Sequence, residues 1–229
     1  IALGVSIATK FFPVVLLLPI TIILYRSAAI DQLRKYLTTT LLFWLVINLP
    51  IMATHFAGWW RFFKLNLERS ADFGSLWYGL SLLGVDIPFL NLIYLIITIT
   101  SFIALAIYLL NLKQIPNLAQ CALFAVVIFT TFSKVYSPQY VLWLTPLAVI
   151  ALTKSVQQIY FWIWQVSEII YHLAIWQYLA QYSGASFGLP AGGYAIATLL
   201  RIVAITGFTY LLMRDLSAKS TAQMSVISR

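Results

Sequence analysis

The chain has 229 residues, of which 62% are hydrophobic, 16% aromatic and only 9% charged. Soluble domains carry about 25% charged residues, so the composition excludes an ordinary water-soluble domain and predicts a polytopic helical membrane protein. Lys and Arg outnumber Asp and Glu by 14 to 6. In a membrane protein such an excess orients the helices through their loops, which makes nucleic-acid binding a poor interpretation.

The beginning of the sequence predicts that a segment precedes it. Residue Ile1 lies inside an apolar stretch, without a starting Met, a basic segment or a signal-type cleavage site. We therefore expect residues 1–229 to be the C-terminal part of a single membrane domain. The one cysteine, Cys121, lies in an apolar run and excludes an internal disulfide.

Seven membrane segments follow from the need for about 20 apolar residues per bilayer crossing. They are 1–24, 37–56, 88–110, 118–132, 140–152, 159–180 and 194–213. The fourth and fifth are short, and with the turn between them they are expected to form a hairpin that enters the protein interior. The predicted fold class is all-α, a polytopic transmembrane helical bundle.

Loop charges predict the orientation of these segments. Eight cations lie in loops 25–36, 111–117, 153–158 and in the tail from Arg214, which includes Lys219 and Arg229. The alternate loops hold four, Arg61, Lys64, Arg69 and Lys134. Since Lys and Arg are retained in cytoplasmic loops, the C-terminus is predicted to be cytoplasmic, with loops 57–87, 133–139 and 181–193 outside.

Lys10 lies within the first predicted segment, just before Phe11, Phe12 and an expected kink at Pro13. It falls about fifteen residues before the cytoplasmic end, or roughly 22 Å above it at 1.5 Å per residue. A cation in the membrane faces a cavity or a partner by default, so Lys10 is a functional candidate. The alternative is a lysine that snorkels toward the outer headgroups.

The long loop 57–87 contains an amphipathic pattern followed by a polar cluster. From Trp59 to Glu68, aromatic and aliphatic positions alternate with charges at helical spacing, which predicts a helix lying in the membrane interface. Arg69 can contact a phosphate, Asp72 can hold a sugar hydroxyl or pair with Arg69, and Gly74 permits a turn. The alternative is an Arg–Asp surface pair that caps the next helix.

The turn 133–139 is polar, aromatic and cationic between two apolar runs. Lys134 must therefore lie at a membrane surface or in a buried polar site, where a low dielectric strengthens its attraction for a phosphate. We expect Tyr136 and Gln139 beside it at the mouth of a cavity. The alternative is an interfacial snorkelling lysine.

The last two predicted segments carry buried polar residues. Gln165, Glu168 and His172 share one helix face, so Glu168 is predicted to pair with His172 in a structural cluster. Arg201 is a candidate partner for Glu168 or for a lipid phosphate. No nucleotide-binding or zinc motif is present, so no cofactor is identified, and a divalent metal is left open.

The segment 131–144 reads Thr-Phe-Ser-Lys-Val-Tyr-Ser-Pro-Gln-Tyr-Val-Leu-Trp-Leu. It resembles the F-x-K-v-x-s-x-Q-Y-x-L-W segment of membrane glycosyltransferases of the GT-C class. It is most similar to the bacterial polyprenol-phosphate-mannose-dependent mannosyltransferases of glycosyltransferase family 87, and more distantly to the catalytic subunit of GPI mannosyltransferase I. Residues 8–13 resemble their K-x-x-P helix, and residues 60–78 resemble their aromatic loop ending R-x-x-d-x-g-S-l-W.

The resemblance implies a GT-C-like membrane enzyme of the bacterial plasma membrane. Such an enzyme transfers a sugar, with mannose expected, from a polyprenyl phosphate to a glycan or lipid acceptor on the non-cytoplasmic face. The candidate donor-phosphate or sugar-binding residues are Lys134, Arg69, Lys10, Asp72, Ser75, Tyr136 and Gln139. The acidic general base of these enzymes usually lies in the first outer loop, so we expect it upstream of this chain, and this part alone is expected to be inactive.

Two other function classes compete with a glycosyltransferase. A transporter or flippase for a lipid-linked sugar could use Glu168, His172 and Arg201 as a coupling relay, although no inverted repeat is evident. A noncatalytic membrane scaffold would explain the apolar segments but not the segment 131–144. The expected partners are a polyprenyl-phosphate-linked sugar, a lipid or glycan acceptor and membrane lipids, with no nucleic acid.

Overall fold

The structure, a computed structural model, describes residues 1–227, with side chains described as far as residue 218. Every regular element in this range is a helix, so the predicted all-α fold class is confirmed. Two tail cations counted for the orientation, Lys219 and Arg229, lie outside the described side chains.

Ten α-helices and two short 3₁₀ helices follow one another along the described chain. The α-helices are α1 Ala2–Thr9, α2 Leu17–Arg26, α3 Ile30–Thr54, α4 Phe56–Glu68, α5 Leu76–Leu82, α6 Leu90–Asn111, α7 Leu118–Phe132, α8 Val141–Ala151, α9 Ser155–Tyr182 and α10 Ala191–Ile227. The 3₁₀ helices are Phe12–Leu16 and Pro138–Tyr140.

Three of the described helices are long and apolar enough to cross a membrane: α3, α6 and the part Ala191–Ala218 of α10. Helix α9 exposes large apolar side chains such as Trp162, Val166, Leu173 and Trp176, whereas Glu168 is buried. Exposed apolar surface of this kind marks a contact with a membrane or with another protein.

The predicted segment 1–24 is broken into separate helices rather than kinked at Pro13. Helix α1 ends at Thr9, Lys10 is extended with φ −150° and ψ 121°, and a 3₁₀ helix containing Pro13 precedes α2. Pro13 explains the break, because its ring would clash with the carbonyl of residue 9, four positions earlier, in a continuous helix. Lys10 therefore lies in a gap between two helices.

Helix α7 forms the centre of the bundle. Its bounds are those predicted, and ten of its fifteen residues are buried. It packs against α2, α6, α8 and α10. Helices α7 and α8 form the predicted short hairpin, and at about 1.5 Å per residue α7 is roughly 22 Å long, less than the thickness of a bilayer core.

The predicted amphipathic helix over 59–68 is confirmed as part of α4. None of its residues is fully buried, and Trp59 attaches it to α3 by donating from Nε1 to Oδ1 of Asn48 over 2.9 Å. A helix with charges on one face and exposed aromatics on another has the amphipathic character of an interfacial segment.

Helices α9 and α10 pack along each other as a hairpin. Here the predicted Glu168–His172 side-chain pair is wrong, because Nδ1 of His172 contacts the Glu168 backbone oxygen at 2.7 Å. The Glu168 carboxylate instead accepts from Nε1 of Trp164 over 3.1 Å and lies 3.5 Å from the Arg201 guanidinium. A charge inside a membrane protein is stabilised by an opposite charge, which Arg201 on the facing helix offers to Glu168.

Candidate functional site

Three segments that are far apart in the sequence meet at one end of the bundle. The Asp72 amide donates to the Lys134 backbone oxygen over 2.8 Å, and the Lys134 ammonium donates to the Leu67 backbone oxygen over 2.9 Å. The Phe12 ring stacks on Trp143 with centroids 3.8 Å apart. These contacts bring the segments that carry Lys10, Arg69 and Lys134 into one region, and we call these three residues the cation cluster.

Lys134 is the most buried member of the cation cluster, with 4% of its surface exposed. Its ammonium donates to Leu67 O and, over 2.5 Å, to Oδ1 of Asn91 at the start of α6, and it lies 5.5 Å from the centre of the Tyr94 ring. Lys134 thus joins α4 to α6. Both acceptors are uncharged, so no negative group neutralises the charge of its ammonium. It satisfies an end carbonyl of α4, where a cation also favours the helix dipole.

Burial, followed by the nearby Arg69 charge, holds the pKa of the Lys134 ammonium below its ordinary value of 10.5. Both effects disfavour the charged form, since the first removes water and the second is a like charge. An anion bound between Lys134 and Arg69 would offset this repulsion. The cluster therefore has the electrostatic character of an anion site.

Arg69 and Asp72 form an ion pair with Nη2 2.7 Å from Oδ2, and each side chain is about one third exposed or slightly more. The other Asp72 oxygen, Oδ1, accepts from the Phe73 amide over 2.7 Å. Ser75 is fully buried and accepts from the Tyr78 amide as the N-cap of α5. Arg69 is thus available to a ligand at its exposed edge, whereas Ser75 is used by the fold.

Lys10 is exposed and pairs with no carboxylate among the described residues. Its ammonium lies 4.4 Å from the centre of the Trp143 ring and 5.8 Å from that of Tyr140. It also borders a cavity of about 340 Å³ between α1, α3 and α4, whose walls include Trp59, Phe62 and Ile51. A cation at the edge of an aromatic and aliphatic cavity of this size suits an amphiphilic anion.

The other two predicted site residues differ in burial. Tyr136 is fully buried, with its ring centre 3.9 Å from the guanidinium carbon of Arg201. Gln139 is exposed. Tyr136 therefore does not lie at the mouth of a cavity as expected, because its ring packs inward on Arg201.

Arg201 is a residue that the sequence did not place at the site. It is fully buried, and its Nη2 donates to Gly74 O over 2.7 Å and to Tyr136 O over 2.5 Å. The available signal was a single arginine in the last apolar segment. The sequence could not reveal that this side chain reaches two loops more than sixty residues away in the chain.

The charges of the cation cluster are opposite to those of a phosphate or phosphodiester, and the neighbouring acid, Asp72, is already paired with Arg69. Asp72 has both oxygens engaged, by Arg69 and by the Phe73 amide. In the part of the chain that the structure describes, no three His, Cys, Asp or Glu side chains lie together in a way that would hold a metal. What these residues can supply is charge stabilisation and orientation of an anionic group.

Comparisons of the chain with protein-family models, with curated proteins and with solved structures gave no match.

Proposed function

We propose that this chain is part of a GT-C-type membrane glycosyltransferase. It transfers a sugar, with mannose as the expected one, from a polyprenyl-phosphate donor to a glycan or lipid acceptor on the non-cytoplasmic face. The enzyme lies in the bacterial plasma membrane with its C-terminus in the cytoplasm. Its membrane domain has seven segments, including the short α7–α8 hairpin.

One observation carries the proposal: the three segments that resemble the GT-C enzymes converge on each other. Residues 8–13, 60–78 and 131–144 touch through the Phe12–Trp143 stack and through the Asp72–Lys134 and Lys134–Leu67 hydrogen bonds. If the three segments had unrelated functions, their cations would not be expected to meet at one end of the bundle. Their convergence supports a common binding site.

In this function the cation cluster holds the donor phosphate. Lys10 and Arg69 present charge at the surface, and Lys134 adds a positive potential from below. As the glycosidic bond breaks, negative charge grows on the departing phosphate, and fixed cations in a region of low dielectric stabilise that charge. No carboxylate among the described residues is assigned to deprotonate the acceptor hydroxyl.

The cavity beside Lys10 suits the apolar chain of such a donor. Its walls are mainly aromatic and aliphatic and include Trp44, Phe62 and Phe63. A polyprenyl chain gains by entering it while its phosphate remains near the Lys10 ammonium. The cavity thus offers an apolar surface to the polyprenyl chain and, at its edge, a cation to the phosphate.

A transporter is less well supported by the contacts of Arg201. A coupling relay needs charged groups that can change partners during the cycle. Arg201 is instead held by two backbone oxygens and two tyrosine rings, and His172 contacts a backbone oxygen rather than the Glu168 carboxylate. These contacts favour a fixed structural pair.

The test uses the full-length protein returned to lipid. Undecaprenyl phosphate carrying radiolabelled mannose is supplied with a membrane extract as acceptor, and mannose transfer is measured over a range of donor concentrations. Lys10→Gln and Arg69→Gln should each weaken donor use roughly ten- to a hundredfold, because a charge-assisted phosphate contact contributes about 1.5 to 3 kcal/mol.

Lys64→Gln is the matched control. Lys64 lies on α4 five residues before Arg69, but it is 60% exposed and pairs only weakly with Glu68 at 3.8 Å. It should leave transfer unchanged. Wild-type protein that moves the intact donor across a vesicle membrane without releasing mannose to an acceptor would overturn the transferase and favour the transporter.

A further inference from the structure

Two loops of the candidate site are tied to the same buried side chain. Gly74 lies two residues after Asp72, and Tyr136 lies two residues after Lys134. The backbone oxygens of Gly74 and Tyr136 both accept from Nη2 of Arg201, over 2.7 and 2.5 Å. The loops that carry Arg69, Asp72 and Lys134 therefore share an attachment on α10.

The guanidinium of Arg201 is held by two aromatic rings, a carboxylate and the two backbone oxygens. It lies between the rings of Tyr136 and Tyr171, at 3.9 and 3.4 Å from their centres, and Nη1 is 3.5 Å from the Glu168 carboxylate. A planar, permanently charged group fits this space, since it can stack on both rings and donate in its own plane. A lysine ammonium would offer a point charge without the plane.

Gly74 provides an independent sign that this contact is tight. Its φ is +74°, and a Cβ at this position would lie 2.3 Å from Tyr136 O, 2.3 Å from the Tyr171 hydroxyl and 2.5 Å from Nη2 of Arg201. Any other residue at this position would be strained in its backbone and would push the two loops away from the guanidinium. Gly74, Tyr136 and Arg201 therefore pack so closely that position 74 has no room for a side chain.

We propose that Arg201 is a positioning residue for the cation cluster. Rather than touching substrate, it sets the distance between the loop of Arg69 and the loop of Lys134 through the Gly74 and Tyr136 carbonyls. The Asp72–Lys134 backbone hydrogen bond then joins the two loops directly. The proposal deepens the proposed function and rests on it only in its kinetic arm, because the loop geometry can be measured without any substrate.

The geometric arm places spin labels on cysteines at the exposed Ser70 and the half-buried Ser137, in the full-length protein with Cys121→Ser. Ser70 reports the loop of Arg69, and Ser137 reports the loop of Lys134. Arg201→Lys should broaden the distance distribution and shift its maximum, and Gly74→Ala, which retains the arginine, should do the same. Unchanged distributions in both variants would overturn the proposal, whether or not the protein transfers sugar.

The kinetic arm compares Arg201→Lys with Asp215→Asn. Asp215 pairs with Lys154 at 3.0 Å and so also joins α9 to α10, but at roughly 21 Å from Glu168 along α9 by the helix rise. Arg201→Lys should raise the KM for the donor at least tenfold in folded protein, whereas Asp215→Asn should lower thermal stability with normal kinetics. If Arg201→Lys behaves like Asp215→Asn, Arg201 only holds the helices together.

The two experiments distinguish a failure of the proposed function from a failure of the positioning role of Arg201. If wild-type protein transfers no sugar but the loops move in the Arg201 and Gly74 variants, the proposed function fails and the attachment stands. If transfer is normal in wild type and in Arg201→Lys, the positioning role fails and the function stands. Where Arg201→Lys does not fold, Gly74→Ala decides both arms.

Discussion

Removing the Lys134 ammonium should cost the protein both stability and sugar transfer. In the structure this ammonium makes two hydrogen bonds, to Leu67 O and to Oδ1 of Asn91, and is 4% exposed. Hydrogen bonds to a charged group contribute about 1.5 to 3 kcal/mol each, and an acceptor left unsatisfied costs about 1 to 3 kcal/mol. The cost of keeping an ammonium out of water offsets part of this gain.

We therefore expect Lys134→Ala to lower the free energy of unfolding by about 2 to 4 kcal/mol, a range set by these hydrogen-bond terms. The measurement is equilibrium unfolding of the full-length protein in mixed detergent micelles, followed by circular dichroism. Lys64→Ala is the control and should change the free energy by less than about 0.5 kcal/mol, because its ion pair with Glu68 is exposed.

A double-mutant cycle isolates the bond to Asn91. The coupling free energy between Lys134→Ala and Asn91→Ala should be at least about 1 kcal/mol, since contacting residues in one polar network couple by about 0.5 to 3 kcal/mol. A coupling near zero would mean that the ammonium is hydrated and that its contacts with Leu67 and Asn91 do not stabilise the fold.

Transfer kinetics decide whether Lys134 also serves the donor. Lys134→Ala and Lys134→Gln should lose transfer by a similar large factor, and Lys134→Arg should recover only part of it, because a planar fork replaces a compact charge. Normal kinetics of Lys134→Gln across donor concentrations would leave Lys134 as an anchor between α4 and α6, and its assignment to the donor site would be refuted.

Three further outcomes are expected. Cysteine at the exposed position Ser70 should react with an impermeant reagent from outside an intact cell and cysteine at Ser155 should not; the reverse pattern would invert the proposed orientation. The pKa of Lys134 is lower in the folded protein than its ordinary value of 10.5, so in the pH range just below 10.5 the unfolded chain binds more protons than the folded one. Wild-type stability, measured by unfolding at several pH values, should therefore rise relative to Lys134→Gln as the pH approaches 10.5 from below. A difference that does not change with pH would contradict the lowered pKa. Gly4→Ala should destabilise the α1–α3 contact by about 1 to 3 kcal/mol, since its Cβ would lie 2.4 Å from a backbone oxygen, while Gly207→Ala, which has open space, should not.

Much of the fold could be predicted because membrane helices leave a strong sequence signal. The bounds of α7 and the amphipathic part of α4 followed from runs of apolar residues and from helical spacing. The prediction failed for segment 1–24, where Pro13 was expected to kink a helix and instead ended it at Thr9. Whether a proline bends or breaks a helix depends on which neighbouring groups can form hydrogen bonds with the freed backbone groups. The sequence alone does not reveal which groups will be neighbours.

The candidate site was predicted in its residue types more than in its geometry. Lys10, Arg69 and Lys134 could be selected because a cation in or beside an apolar segment requires a partner. Their partners could not be selected in the same way: Lys134 found two neutral oxygens, and Tyr136 found Arg201 rather than Lys134. Each of these contacts joins residues more than forty positions apart.

The sequence by itself determined that this is an all-helical membrane protein with cations beside three of its segments, because composition and periodicity act locally and each residue contributes to them independently. Only the tertiary structure decided that these cations form one cluster and that Arg201, from the last helix, holds two of the loops that carry it. Burial of a charge depends on every element packed around it at once. A contact of that kind is fixed by how distant helices pack, and no window along the chain contains it.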